Sequence, residues 1–163
     1  MKPLSALLAL TLLAAAPLHA DENVTHFADT DPVMNAAIEQ AQDTLDLFVR
    51  NAFDGDRLAS PDALVKVAFE VGADGVEVIW VEQLGKTGPN WIGRLANDPI
   101  YMDGLAYGDP VAFTTEQIYD WVYYIGDRAY GSYTTRVTLE GLDTEARAQV
   151  RATLSDRPIP PGW

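Results

Sequence analysis

The 163-residue chain contains no cysteine. That absence excludes disulfides, thiolate zinc sites, thioether-linked haem and a cysteine nucleophile. Histidine, the usual base at neutral pH, is nearly missing: only His19 and His26 occur. A Ser-His-Asp triad or a histidine metal cluster therefore has no adequate supply of side chains. Basic residues are scarce, with 11 Lys and Arg against 24 Asp and Glu. A surface this negative repels phosphate backbones and anionic headgroups, which argues against nucleic-acid binding. It suits a basic partner, because opposite fields steer encounter.

Long apolar runs are also lacking, with one exception at the start. Met1-Lys2 is followed by the apolar run Leu4 to Leu13, an alanine triplet, and Pro17-Leu18-His19-Ala20 before acidic Asp21-Glu22. This reads as an export signal cleaved after Ala20. The run falls short of the roughly 20 residues that a bilayer-spanning helix needs. Lipid anchoring at the processing point would need a cysteine. The expectation is a periplasmic or secreted protein without a membrane span. The mature part keeps 10 basic and 24 acidic residues, a net charge of −14.

The chain is 48% apolar and 21% charged, the composition of a folded globule rather than a disordered one. Positions 21–30 are polar and unpatterned and read as a mobile lead-in. Asp31-Pro32 is a helix start, a capping carboxylate followed by proline in the first turn. Apolar residues then recur at three and four from Met34 through Ala37, Ile38, Ala41, Leu45, Phe48 and Ala52, which predicts one long helix of about five turns. Val65, Val67, Phe69 and Val71 alternate with polar residues, and Val76 to Gln83 is β-rich. The two runs predict a hairpin about Gly72 to Gly75. A turn over Gly85 to Asn90, a third strand over Trp91 to Leu95 and a short strand at Val111 to Phe113 follow. Thr114 to Gln117 has the pattern of a capping box. Trp121 to Ile125 and Tyr130 to Leu139 predict a second hairpin. Asp143 caps a short last helix, and the three prolines after Asp156 predict an extended tail. Strands that come in neighbouring pairs favour an antiparallel α+β fold. The expected architecture is one long N-terminal helix on a bent antiparallel sheet of about five to six strands, with a short C-terminal helix. The expected layout is a signal peptide (1–20), the lead-in (21–30), one domain (31–155) and a proline-rich tail (156–163).

Several motifs fail on spacing. Gly85-Lys86-Thr87 resembles the end of a phosphate-binding loop, but the position five residues before Gly85 is Trp80 rather than glycine. No Gly-rich dinucleotide fingerprint follows a strand, so no cofactor is implied. Asp54-Gly55-Asp56 would need an acid at the twelfth loop position for calcium, and Val65 stands there; no metal site is expected. Glu116 and Asp120, four apart, are the weak catalytic candidates, a carboxylate pair for a glycan hydrolase. Six aromatic residues crowd into positions 119–133, Tyr119, Trp121, Tyr123, Tyr124, Tyr130 and Tyr133. Tyr and Trp couple an apolar ring to a polar tip, as contact surfaces require. The expected ligand-binding set is Trp80, Asn97, Asp98, Asp120, Trp121, Tyr123 and Tyr133. Aromatics would give contact area, and acids would select a basic protein or a hydroxyl-rich ligand.

An ordered series of short segments carries a resemblance. They are Ala37-Ile38-Glu39-Gln40-Ala41, Val78-Ile79-Trp80, Gly93 to Pro99, Gly108 to Phe113, Ile118 to Tyr123 and Gly131 to Arg136. Together they resemble the bacterial family called domain of unknown function 2314, over about Met34 to Leu139. The resemblance implies a small α+β domain, sometimes exported. The family has no established activity, so it supplies no catalytic residues. The favoured reading is a non-catalytic binding module of the cell envelope. An inhibitor or immunity-like partner of a basic toxin or lytic enzyme is one alternative, and the carboxylate hydrolase is the other.

Overall fold

A computed structural model describes residues 31–163 apart from positions 54, 56 and 74. The export signal, the lead-in with His26, and the Asp54-Asp56 pair lie outside the described residues. Helix α1 (Pro32–Asp43) starts where the sequence predicts. The Asp31 carboxylate accepts the Val33 and Met34 N–H groups at 2.9 and 3.2 Å. The expected single helix is two. The chain breaks at Thr44 and resumes as α2 (Leu45–Phe53). The Thr44 hydroxyl donates to the Gln40 carbonyl at 2.9 Å, accepts the Trp121 indole N–H at 3.0 Å, and meets the Tyr133 hydroxyl at 3.1 Å. Side-chain bonds of this kind compete with the helical ladder. The apolar stripe nonetheless crosses the break, with Met34, Ala37, Ala41, Leu45, Phe48 and Ala52 all buried.

Six strands form one antiparallel sheet: β1 (Ala63–Val71), β2 (Gly75–Thr87), β3 (Asn90–Leu95), β4 (Pro110–Thr114), β5 (Ile118–Ile125) and β6 (Arg128–Gly131), in the order β4-β3-β2-β1-β5-β6. The β1–β2 hairpin has the register Val65 opposite Val81 through Val71 opposite Gly75. The turn expected over Gly85 to Asn90 is shorter, because β2 runs on to Thr87 and pairs it with Asn90. A register shift between Glu82 and Gly85, with Gln83 at φ 51°, bends β2. Both helices lie on one face. There Phe48 stacks on Trp121 (5.2 Å between ring centroids) and Phe53 edges Trp91 (5.6 Å), in a core that includes Val65, Val67, Ile79 and Val81. Each such side chain contributes about 1.5–3 kcal/mol on burial. On the other face Val122, Ala129, Leu139 and Leu154 form a smaller cluster. It lies beside α4 (Thr144–Thr153), whose N-terminus Asp143 caps at Glu145 and Ala146.

The strand expected over Tyr130 to Leu139 ends at Gly131, and Tyr133–Thr138 forms a helix, α3. Two features override the β-rich composition. Gly131 has φ +73°, and a Cβ there would meet the Trp121 carbonyl oxygen; Ser132 follows at φ 52°. The buried Asp120 carboxylate then takes the first N–H groups of α3, Tyr133 at 3.1 Å and Thr134 at 2.8 Å, and also the Thr134 hydroxyl at 2.7 Å. Asp120 thus caps a helix from a neighbouring strand. The tail is not simply extended either. Pro158 accepts the Gly131 N–H at 2.6 Å, and Trp163 stacks on Trp121 at 5.9 Å.

Burial pushes the Asp120 carboxyl above its ordinary 3.8, against the opposing pull of the Thr134 and Trp121 donors. An acid with a raised folded pKa favours folding most below its unfolded pKa, and that contribution is lost as pH rises through the folded value. Urea unfolding of wild type and Asp120→Asn tests this. The stability of wild type relative to the variant is expected to be greatest near about pH 4 and to decline toward neutrality. A difference that grows with pH contradicts the raised pKa.

Candidate interaction site

Glu77 interrupts the apolar face of β2, where it is in phase with Ile79 and Val81 and opposite Phe69. It is fully buried. A carboxylate there needs donors, and it finds them in the β3–β4 connection, residues 96–109. The Ile100 N–H donates to Oε1 at 2.6 Å and the Tyr101 N–H to Oε2 at 2.8 Å. The two bonds tie the middle of the loop to the sheet. Further bonds close it. The Asp98 carboxylate accepts the Tyr107 N–H at 2.8 Å, and that of Asp109 accepts the Ala106 N–H at 2.9 Å. The Leu95 carbonyl accepts the Gly108 N–H at 2.8 Å, and the Arg94 guanidinium donates to the Gly108 carbonyl at 2.8 Å. Met102 packs on the main core.

With its backbone held this way, the loop turns apolar side chains outward. Ile100, Tyr101, Leu105 and Tyr107 are 59, 49, 37 and 53% exposed. They are four of the ten large hydrophobic residues exposed among the described residues, and they fall within eight positions. Exposed apolar residues scattered singly are ordinary, and four within eight positions of one loop are a local concentration. The loop carries only acidic charge: no Lys or Arg occurs between Arg94 and Arg128.

The structure separates the residues expected to form a surface. Asn97 and Asp98 belong to this loop. Trp80 is half-buried on the opposite side of the sheet from α1 and α2, with the Lys66 ammonium 5.2 Å from its ring. Asp120, Trp121 and Tyr133 are interior, since the cap on α3 and the packing under α1 consume them. Tyr123 is half-buried under Trp163, with ring centroids 5.1 Å apart. Glu116 and Asp120 also stand apart in chemistry. Glu116 is exposed, and the Thr114 hydroxyl bond holds its carboxyl below the usual range, while both Asp120 oxygens already accept hydrogen bonds. Lys86 of the Gly-Lys-Thr run lies 5.3 Å from the Trp91 ring and donates to the Gly88 carbonyl. No group of three or more potential metal ligands is gathered among the described residues. No helix among them is long and apolar enough to cross a membrane.

Sequence reasoning passed over Ile100, Tyr101, Leu105 and Tyr107. Two signals pointed to them. Glu77 breaks an apolar alternation, and Ile100-Tyr101-Met102 is an apolar triplet inside turn formers, between Asn97-Asp98-Pro99 and Asp103-Gly104. Replacing Glu77 by alanine leaves the Ile100 and Tyr101 N–H groups without their acceptor and opens a void beneath them. The expected loss is about 2–4 kcal/mol in urea unfolding, with new protease cleavage between 98 and 107. Unchanged stability together with a protease-resistant loop contradicts the clasp.

The chain is similar to two bacterial proteins. It is 30% identical over 124 residues to "Uncharacterized protein YegJ" of Escherichia coli (strain K12), covering 74% of this chain and 76% of that protein. It is 27% identical over 135 residues to "Putative ankyrin repeat protein NMB1133/NMB1171" of Neisseria meningitidis serogroup B (strain ATCC BAA-335 / MC58), covering 79% of this chain. It spans about half of that second protein, 53% of its length. No solved structure matches the chain. The family model described as "Uncharacterized protein conserved in bacteria" matches residues 31–155, from the Asp31 cap through α4, and the chain therefore belongs to that family, domain of unknown function 2314.

Proposed function

We propose that this protein is an exported contact module of the bacterial cell envelope, which binds a partner through the β3–β4 loop rather than transforming a substrate. The observation that carries the reading is the display of Ile100, Tyr101, Leu105 and Tyr107 on a backbone fixed by Glu77, Asp98 and Asp109. A loop ordered before binding gives up little conformational entropy in the complex, so its apolar area converts to affinity more efficiently. Tyrosines at such a site supply large, stiff contact area with a polar tip. Export is supported by the positive start, the short apolar run and the Ala20 processing site. Asn97 and Asp98 keep a place in this reading, Asp98 as a brace for the loop. Trp80, Asp120, Trp121, Tyr123 and Tyr133 serve the fold that carries it.

Affinity capture of a C-terminally tagged protein from the periplasmic fraction of the native host tests the reading. Wild type is compared with Ile100→Asp/Tyr107→Asp and, as control, with Tyr124→Asp on β5. Mass spectrometry is expected to find a mature chain beginning at Asp21. Partners should be retained by wild type and the control and lost by the loop variant. An unprocessed chain in the cytoplasm, or the same partners on all three proteins, contradicts it.

A further inference from the structure

Residues 156–163 sit on the domain much as a bound peptide would. Up to Ser155 the chain is pinned. Leu154 is buried and bridges Ala129 on the outer edge of β6, the Ser155 N–H donates to the Ala129 carbonyl at 2.9 Å, and the Arg136 guanidinium donates to the Ser155 carbonyl at 2.9 Å. Asp156 and Arg157 are exposed. Beyond them the Pro158 carbonyl accepts the Gly131 N–H at 2.6 Å, Pro160 is buried, and Ile159 and Trp163 pack on the main core. The Trp163 ring stacks on Trp121 and meets Tyr123 edge-on. We propose that the β6 edge and the Trp121–Tyr123 slot are a peptide-binding groove, which residues 158–163 fill as a strap. An extended segment of a partner protein, with prolines ahead of an aromatic residue, takes the groove by displacing that strap.

Three observations converge on that occupant. The first is the division between domain and strap. Trp121, Tyr123, Ala129 and Gly131 lie within the family match, residues 31–155, whereas the strap lies outside it and is joined through the exposed Asp156-Arg157 pair. The second is the chemistry of the contacts. Sheet edges capture peptides through main-chain hydrogen bonds, and aromatic-lined grooves capture proline-rich segments. The strap uses both, a bond to the β6 edge and a tryptophan in an aromatic slot. Pro158, Pro160 and Pro161 fix its backbone and remove donors, so it loses little entropy on seating. The third is what the groove presents when the strap lifts. A Cβ at position 131 would collide with the Trp121 carbonyl and ring, so glycine alone aims that N–H outward beside the indole. Without an occupant the Gly131 N–H loses its acceptor and Trp121, otherwise fully buried, loses its Trp163 cover. A large ring next to an unpaired main-chain donor is the kind of anchor on which binding energy concentrates.

With the strap seated, Trp121 and Tyr123 belong to the core, and with the strap lifted they become contact surface. The groove is separate from the β3–β4 loop, since β6 and β4 are the two opposite edges of the sheet. A tethered strap competes at an effective concentration on the order of millimolar, so a partner segment binds only to the fraction of molecules whose groove is open.

The probe is a synthetic peptide copying residues 156–163, titrated by NMR into the full chain carrying Trp163→Ala. It is expected to move the amides of Ala129 and Gly131 and the Trp121 indole N–H. Its apparent affinity should be about tenfold or more above that for wild type, whose own strap competes. A peptide with alanine in place of its tryptophan should bind about tenfold more weakly. Equal affinity for wild type and variant, shifts away from β6, or no binding by a folded Trp163→Ala overturns the proposal. Free indole binding as tightly as the peptide overturns a peptide occupant. A wild-type dimer that Trp163→Ala dissociates gives the groove to a second copy and overturns a foreign partner. Hydrogen exchange on the unaltered protein covers the case in which Trp163→Ala does not fold. The Gly131 amide is expected to exchange about tenfold or more faster than the amides of central β1 and β2, through opening of the strap alone. Exchange of Gly131 only at the rate of global unfolding overturns a displaceable strap.

Discussion

A carboxylate removed from water must be supplied with hydrogen-bond donors, and this requirement organises both halves of the sheet. Glu77 and Asp120 are fully buried, one on β2 and one on β5. Each takes backbone N–H groups from a segment outside the sheet, Ile100 and Tyr101 for Glu77, and Tyr133 and Thr134 for Asp120. The strands alone would leave Glu77 without the Ile100 and Tyr101 donors and Asp120 with only the N–H of Trp121 on its own strand, and the loop and α3 alone would leave their amides unpaired. Each acid therefore fixes an irregular segment to a regular scaffold. On the Asp120 side the product is a helix in a β-rich stretch. On the Glu77 side it is an ordered loop with apolar side chains facing water.

The same division separates what the sequence made legible from what it did not. Features set by near neighbours were readable. They include the Asp31-Pro32 and Asp143 caps, the β1–β2 alternation and the turn between β5 and β6. Features set by distant partners were not. Thr44 interrupts the first helical stripe while its hydroxyl meets Trp121, 77 residues away. Periodicity reports which face is buried and is silent about a break that leaves that face intact. Tyr133 to Thr138 would read as strand in any local window; the cap that makes it a helix sits 13 and 14 residues earlier, on β5.

The aromatic density around Trp121 illustrates a related ambiguity. Large rings serve a contact surface and a core equally well. Here the gap between the split helix and the bent sheet is filled by Phe48, Trp91, Trp121 and Tyr133, with Trp163 closing over Tyr123. Composition draws attention to that interior, while the outward-facing apolar group lies in a loop with weaker residue statistics. Whether a side chain faces in or out there depends on where Glu77 holds the backbone. This is a tertiary fact announced in sequence only by one charged residue on an apolar strand face.

A preformed contact surface requires the β3–β4 loop to be ordered before any partner arrives, and amide hydrogen exchange on the unaltered protein tests that most directly. The Ile100 and Tyr101 amides are expected to exchange as slowly as those of central β1 and β2, although the side chains beside them face solvent. Exchange of those two amides at the rate of an unprotected surface loop would contradict it.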